Sequence, residues 1–146
     1  LSRGLGDVYK RQGLGSIMGK LVKPTVTKCC EIPKGWGKEM IITNNELYCG
    51  KILMFKKGCK FSMHYHLKKD ETWFIAEGEF LYRWIDTETA DIYEEELKPG
   101  DVVRQLPGQP HQLMAHTDGS IIEVSTEHFD DDSYRVSKGD SQKNEE

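Results

Sequence analysis

From Lys38 to Val124 the chain runs in short apolar or alternating stretches separated by clusters of Gly, Pro, Asn and Asp, the pattern of β-strands joined by turns. Lys38-Glu39-Met40-Ile41-Ile42-Thr43 and the run from Leu47 to Phe55 flank Asn44-Asn45-Glu46 and predict a hairpin. A second hairpin is predicted from Glu79 to Ile85 and Ile92 to Leu97, around the polar tip Asp86 to Asp91. Lys98-Pro99-Gly100-Asp101 is a turn before Val102-Val103, and Thr117-Asp118-Gly119 separates the run Gln112 to His116 from Ile121-Ile122-Glu123-Val124. No segment keeps a helical period for the length a helix needs. The expectation is an all-β sandwich or barrel.

The 146 residues suit one domain with a real core. Residues 1–17, opening Leu1-Ser2-Arg3-Gly4-Leu5-Gly6-Asp7-Val8-Tyr9-Lys10-Arg11-Gln12, resemble a translated sequencing-library adaptor read through to Met18, and are set aside as a non-native leader. The domain is expected over 18–135. Residues 136–146 are charged and polar with almost nothing to bury, and are expected to form a disordered tail.

Composition narrows the partners. A net charge of −4, with Lys and Arg scattered among acids, argues against nucleic-acid binding. No apolar run is long enough for a membrane-spanning helix. Cys29, Cys30, Cys49 and Cys59 have no CxxC spacing, and with no secretion signal they read as reduced thiols in a cytoplasmic protein.

The chemistry concentrates in four residues. His64 and His66 stand two apart in Phe61-Ser62-Met63-His64-Tyr65-His66, so a strand turns both imidazoles to one face and Tyr65 to the other. Glu71 opens the next run after the short polar turn Leu67-Lys68-Lys69-Asp70, and His111 heads another run after Pro107-Gly108-Gln109-Pro110. Neutral imidazoles with a carboxylate suit one divalent first-row ion (Zn, Mn, Fe, Co or Ni), with availability rather than ligand type deciding which.

These residues lie in a glycine frame. Gly58, five residues, His64-x-His66, four residues, Glu71, six residues and Gly78 resemble the first motif of the cupin family. Gly100-Asp101 and Gly108-x-x-His111 resemble the second, with Leu106 at the usual proline position and Ala115 where asparagine often ends the motif. The resemblance implies a cupin double-stranded β-helix, a small jelly-roll-like barrel, with His64, His66, Glu71 and His111 as metal ligands.

Between Ile32 and Arg135 the flanking segments are similar to the cupin domain of type II mannose-6-phosphate isomerases: Lys34-Gly35-Trp36-Gly37-Lys38, Glu71-Thr72-Trp73, Ile122-Glu123-Val124-Ser125-Thr126, and Asp130-Asp131-Asp132-Ser133-Tyr134-Arg135. That family has proline at Gly35 and commonly glutamine at His64, and carries a nucleotidyltransferase domain before the cupin; this chain would be a stand-alone domain. The resemblance implies a sugar-phosphate substrate and aldose–ketose isomerisation, with Glu123 as base or orienting group and Arg135 meeting the substrate anion. Arg104 is a second candidate for that anion, Trp73 and Tyr82 read as core aromatics that also suit a barrel lining, and Lys69 reads as solvated. A three-His, one-Glu set also suits an iron-dependent dioxygenase, and a metal- or sugar-binding protein without turnover is the third alternative. Exposed edge strands of small barrels often pair, which leaves a homodimer open.

Overall fold

The structure, a computed structural model, describes residues 24–143 together with Gly4. The expected leader therefore lies outside the described residues, Gly4 aside. Among the described residues eleven strands follow one another: β1 (Cys30–Lys34), β2 (Gly37–Asn44), β3 (Cys49–Phe55), β4 (Met63–Tyr65), β5 (Glu71–Glu77), β6 (Phe80–Ile85), β7 (Ile92–Leu97), β8 (Val102–Gln105), β9 (His111–Ala115), β10 (Gly119–Ser125) and β11 (Tyr134–Ser137). They form a six-stranded sheet in the order β1-β2-β3-β10-β5-β8 and a five-stranded sheet in the order β11-β4-β9-β6-β7, with every pairing antiparallel. The expected all-β barrel and both expected hairpins, β2–β3 and β6–β7, are present.

Strand alternation decides which residues face inward, and chemistry changes along each strand. Lys51 gives way to Leu53 and Phe55 on β3, Glu71 to Trp73 and Ile75 on β5, His111 to Leu113 and Ala115 on β9, all of them buried. Register then sorts these steps into layers. Glu123 stands opposite both Lys51 and Trp73, whereas Ile121 stands opposite Leu53 and Ile75. One end of the barrel is thus plugged by apolar side chains, where Ile75, Leu113 and Ile121 are fully buried, each stabilising by about 1.5–3 kcal/mol. The other end is left polar and open.

Turns hold the layers in phase. Gly58, Gly78, Gly100 and Gly108 all have φ between +80° and +95°, the left-handed region that favours glycine. At Gly78 space is short as well, because a Cβ would come within 2.6 Å of the Asp118 carbonyl oxygen.

At the chain's ends one strand is additional to the sequence reading and one expectation needs correction. Pro33 and the flanking polar residues hid β1, an edge strand where proline is tolerated. The segment expected to be a disordered tail begins inside β11, which pairs with β4, and continues into a single 3-10 turn, Asp140–Gln142. Polar contacts hold it rather than apolar burial: the Asp140 carboxylate accepts from the Lys60 amide at 2.7 Å, and Ser141 Oγ accepts from the Gly35 amide at 3.0 Å. Residues 144–146 lie outside the described residues.

Candidate metal centre

His64 and His111 are direct cross-strand partners on β4 and β9, and His66 follows just past the end of β4. One ligand nitrogen from each lies within 4.8 Å of the other two. Their orientation is fixed from behind. His64 Nδ1 lies 2.7 Å from the Ser62 carbonyl, His66 Nδ1 2.6 Å from the Asp132 carbonyl, and His111 Nδ1 2.7 Å from the Gln109 carbonyl. A carbonyl can only accept, so each Nδ1 carries a hydrogen and each ring is turned with its Nε2 away from that carbonyl. Burial, with His111 and His66 beside it, pushes the His64 imidazole down to about 3, and burial also lowers His66. These two rings are therefore neutral near pH 7, the state a metal ligand requires.

Glu71 arrives from β5 in the facing sheet, not from a neighbour in the same ladder. Its Oε1 is 2.9 Å from His111 Nε2 and 3.9 Å from His66 Nε2. Burial opposes ionisation of this carboxyl, but the contact with His111 and the charge of Lys69 outweigh it and hold Glu71 well below the usual carboxylate range. His111 Nε2 is buried without a hydrogen-bond partner and stands at contact distance from a carboxylate oxygen. A cation between them would resolve that contact, and the residues present fit a divalent metal ion.

Lys69 corrects the expectation of a solvated side chain. It is only 4% exposed, with Nζ 3.0 Å from Glu71 Oε2 and 2.9 Å from Glu123 Oε2. The two carboxylates hold its charge and raise its pKa despite burial. Glu123 is buried as well, and its Oε1 accepts from Trp73 Nε1 at 3.3 Å. Burial, then Glu71, pushes the Glu123 carboxyl up to about 7, against the pull of Lys69 and Lys51. A continuous chain from Glu71 through Lys69 to Glu123 thus borders the imidazoles.

A cavity of about 510 Å³ opens onto this group, with His64, His66, Lys69, Glu71, Trp73 and Glu123 in its wall. Arg135, the cross-strand partner of His64, stands at the same cavity on the exposed side. Trp73 is a cavity-lining aromatic. Tyr82 is buried instead against Gln105, to which its hydroxyl donates at 2.7 Å. Tyr65 points away and stacks on Tyr134, as its strand phase requires. Arg104 does not reach the cavity, because its guanidinium is held in a forked pair with Asp70 at 3.0 and 2.6 Å on the outer surface.

Two participants escaped the sequence. His128 also faces the cavity, with Nδ1 3.4 Å from Lys69 Nζ. Asp132 lies beneath the turn between His66 and Glu71, where its carboxylate accepts from the amides of Leu67, Lys68 and Lys69 at 2.9–3.2 Å. Those three amides lower its pKa although burial works the other way. Neither residue sits in a metal-ligand spacing, although Asp132 belongs to the acidic run already noted before Arg135.

No curated protein sequence matches the chain. Among solved structures, capsular polysaccharide assembling protein CapF from Staphylococcus aureus superposes with a TM-score of 0.68 at 19% identity, covering 77% of this chain and 32% of that one. An oxalate decarboxylase variant from Bacillus subtilis gives 0.66 at 15% identity over 87% of this chain and 38% of that one, and the Lactobacillus farciminis oxalate decarboxylase formate complex gives 0.65 at 19% identity over 78% and 38%. This chain spans only about a third of the length of such neighbours, and at these identities the likeness is one of fold. No long apolar helix able to cross a membrane occurs among the described residues. The cupin domain model matches residues 51–126, more than half of the chain and across both sheets that supply the site, so the chain belongs to the cupin family.

Proposed function

We propose that the protein is a metal-dependent enzyme that moves a proton on a small anionic carbonyl substrate, with aldose–ketose isomerisation of a sugar phosphate as the reaction. The observation that carries this reading is the buried carboxylate–lysine–carboxylate chain beside three convergent imidazoles. His64, His66 and His111 would hold a divalent ion, with Glu71 as the fourth ligand. That ion would supply Lewis-acid charge against the oxyanion of an enediolate.

The remaining work falls to the chain's own side chains. Glu123 is the base: its carboxylate faces the cavity, where Lys69 and the Trp73 indole fix both oxygens. Lys69 also neutralises Glu71, which keeps two carboxylates compatible in one buried site. Trp73 covers the cavity wall with an aromatic face suited to a sugar ring. Arg135 at the cavity's exposed side meets the phosphate.

A second reading, an iron-dependent dioxygenase, is favoured by the third imidazole at His64, which gives a three-His, one-carboxylate set. Oxygen separates the two. Protein loaded with Zn(II), Mn(II) or Co(II) should interconvert fructose 6-phosphate and mannose 6-phosphate under strict anaerobiosis, and Glu123→Gln should abolish turnover while retaining metal. Oxygen consumption by the Fe(II) form, with no anaerobic interconversion, would replace the isomerase by the dioxygenase. Ligand binding without either turnover would leave a binding protein.

A further inference from the structure

Both ends of the described chain contribute to the cavity wall. Lys34, at the end of β1, and Ser141 and Gln142, in the C-terminal 3-10 turn, line it together with Arg135 of β11. Backbone packs on backbone where the turn docks: a Cβ on Gly35 would run into the Asp140 carbonyl, and one on Gly139 into the Phe61–Ser62 peptide. The turn is therefore a fitted part of the wall. Its own hydrogen bonds use acceptors and spare donors. Ser141 Oγ accepts from the Gly35 amide at 3.0 Å, and Gln142 Oε1 accepts from the Gly139 amide at 2.9 Å. The Ser141 hydroxyl hydrogen and the two hydrogens on Gln142 Nε2 are left without a partner among the described residues. Lys34 makes no ion pair among the described residues either, and Asp130, the exposed carboxylate of the same wall, is engaged by His128 Nε2 at 3.1 Å.

We propose that Lys34, Ser141 and Gln142 join Arg135 in a clamp for the phosphate of the substrate, which makes the C-terminal turn part of the binding site. This inference rests on the sugar-phosphate reading above and extends it to residues outside both glycine motifs. The donor set suits phosphate better than carboxylate. Donors arrive from three separate segments, β1, β11 and the turn, and a phosphate monoester has three terminal oxygens to receive them where a carboxylate has two. Cationic and neutral N–H and O–H groups on one anion are also the charge-assisted bonds that bind most strongly.

Calorimetric titration of the full chain, loaded with Zn(II), with mannose 6-phosphate tests the clamp. Lys34→Met removes the ammonium group and should weaken binding by about tenfold. Gln142→Glu keeps the oxygen that accepts from Gly139 but exchanges the amide donor for a carboxylate oxygen, and should weaken binding by about tenfold or more. Lys56→Met, the same loss of charge at an exposed site outside this wall, should stay within about twofold of the parent. Circular dichroism and metal content check that the variants fold. If Gln142→Glu loses the turn, Lys34→Met carries the test from the first strand. Titration reads affinity and not turnover, so weakening confined to Lys34→Met and Gln142→Glu supports the clamp even in a protein without isomerase activity. Parent-like affinity in both folded variants would overturn the clamp and leave the isomerase standing, whereas a parent that does not bind mannose 6-phosphate would overturn both.

Discussion

Replacing Asp132 by alanine should damage stability and metal affinity together, although this side chain touches no metal-ligating atom. Its carboxylate takes the amides of Leu67, Lys68 and Lys69 at 2.9–3.2 Å, and so ties down the turn that joins His66 to Glu71. Leu67 and Lys68 are exposed, so their amides would turn to water and lose about 1.5 kcal/mol each at most, the lower value for a charged hydrogen bond. Lys69 is buried, and an amide left unpaired there costs about 1–3 kcal/mol. Relaxation of the turn absorbs part of this, which leaves an expected destabilisation of about 3 kcal/mol. The Asp132 carbonyl that orients His66 Nδ1 is kept by the substitution, but the segment carrying it is freed.

Loosening an outer partner of a metal-bound histidine typically costs about 10- to 100-fold in affinity, and the same loss is expected here. The conservative change Asp132→Asn retains one acceptor oxygen and should fall between alanine and the parent. Urea unfolding gives the stability, and competition for Zn(II) against a chromophoric chelator gives the affinity. A stability change under about 0.5 kcal/mol with affinity within about twofold of the parent would refute the argument that Asp132 positions the site.

Removing a ligand should act more directly: His66→Ala or His111→Ala is expected to lower metal occupancy by elemental analysis, and equal content in variant and parent would sink the assignment. Lys69→Met leaves Glu71 and Glu123 buried without their shared cation, and should destabilise the metal-free protein by about 3–5 kcal/mol in denaturant titration. Asp140 is held below its ordinary value by Lys143 and the Lys60 amide, despite burial. Its folded form therefore resists protonation more than its unfolded form does, so its contribution is full above about pH 4 and lost as pH falls through the folded value. Asp140→Asn should accordingly flatten the acid limb of the stability profile, and an unchanged limb would remove Asp140 as the anchor of the C-terminal turn.

Two of the imidazoles could be read in sequence because their geometry is local, and His111 because the second glycine motif marks it. A two-residue step sets His64 and His66, and glycines with left-handed backbone fix where the strands turn. Glu123 entered through the resemblance of its flanking segment, since in Ile121-Ile122-Glu123-Val124 both strand phases hold apolar residues and phase alone allows either face. Lys69 could not be read. Lys68-Lys69-Asp70 has the composition of a solvated turn, and what buries Lys69 is a carboxylate more than fifty residues away on β10. The C-terminal turn was hidden for a related reason. Composition reports the apolar area a segment can bury, whereas this one is fastened by Asp140 and Ser141 to backbone groups near Lys60 and Gly35.

Counting charge around the cavity tightens the choice of substrate. Lys51 and Glu39 pair at 3.4 Å and cancel, Lys34 and Arg135 at the wall outnumber Asp130, and at the centre Lys69 stands between Glu71 and Glu123 beside the imidazoles. That group carries about one negative charge when both carboxyls are ionised, and a divalent ion would turn it to about one positive charge. With Glu123 pushed up to about 7, part of the population holds a proton there near neutral pH, and the balance becomes more positive. A metal-loaded site of this sign favours an anion over a neutral ligand, which is what a sugar phosphate or an enediolate supplies. Binding of a neutral sugar as tight as that of its phosphate, measured by calorimetry on the Zn(II) form of Glu123→Gln, would break this step of the reasoning.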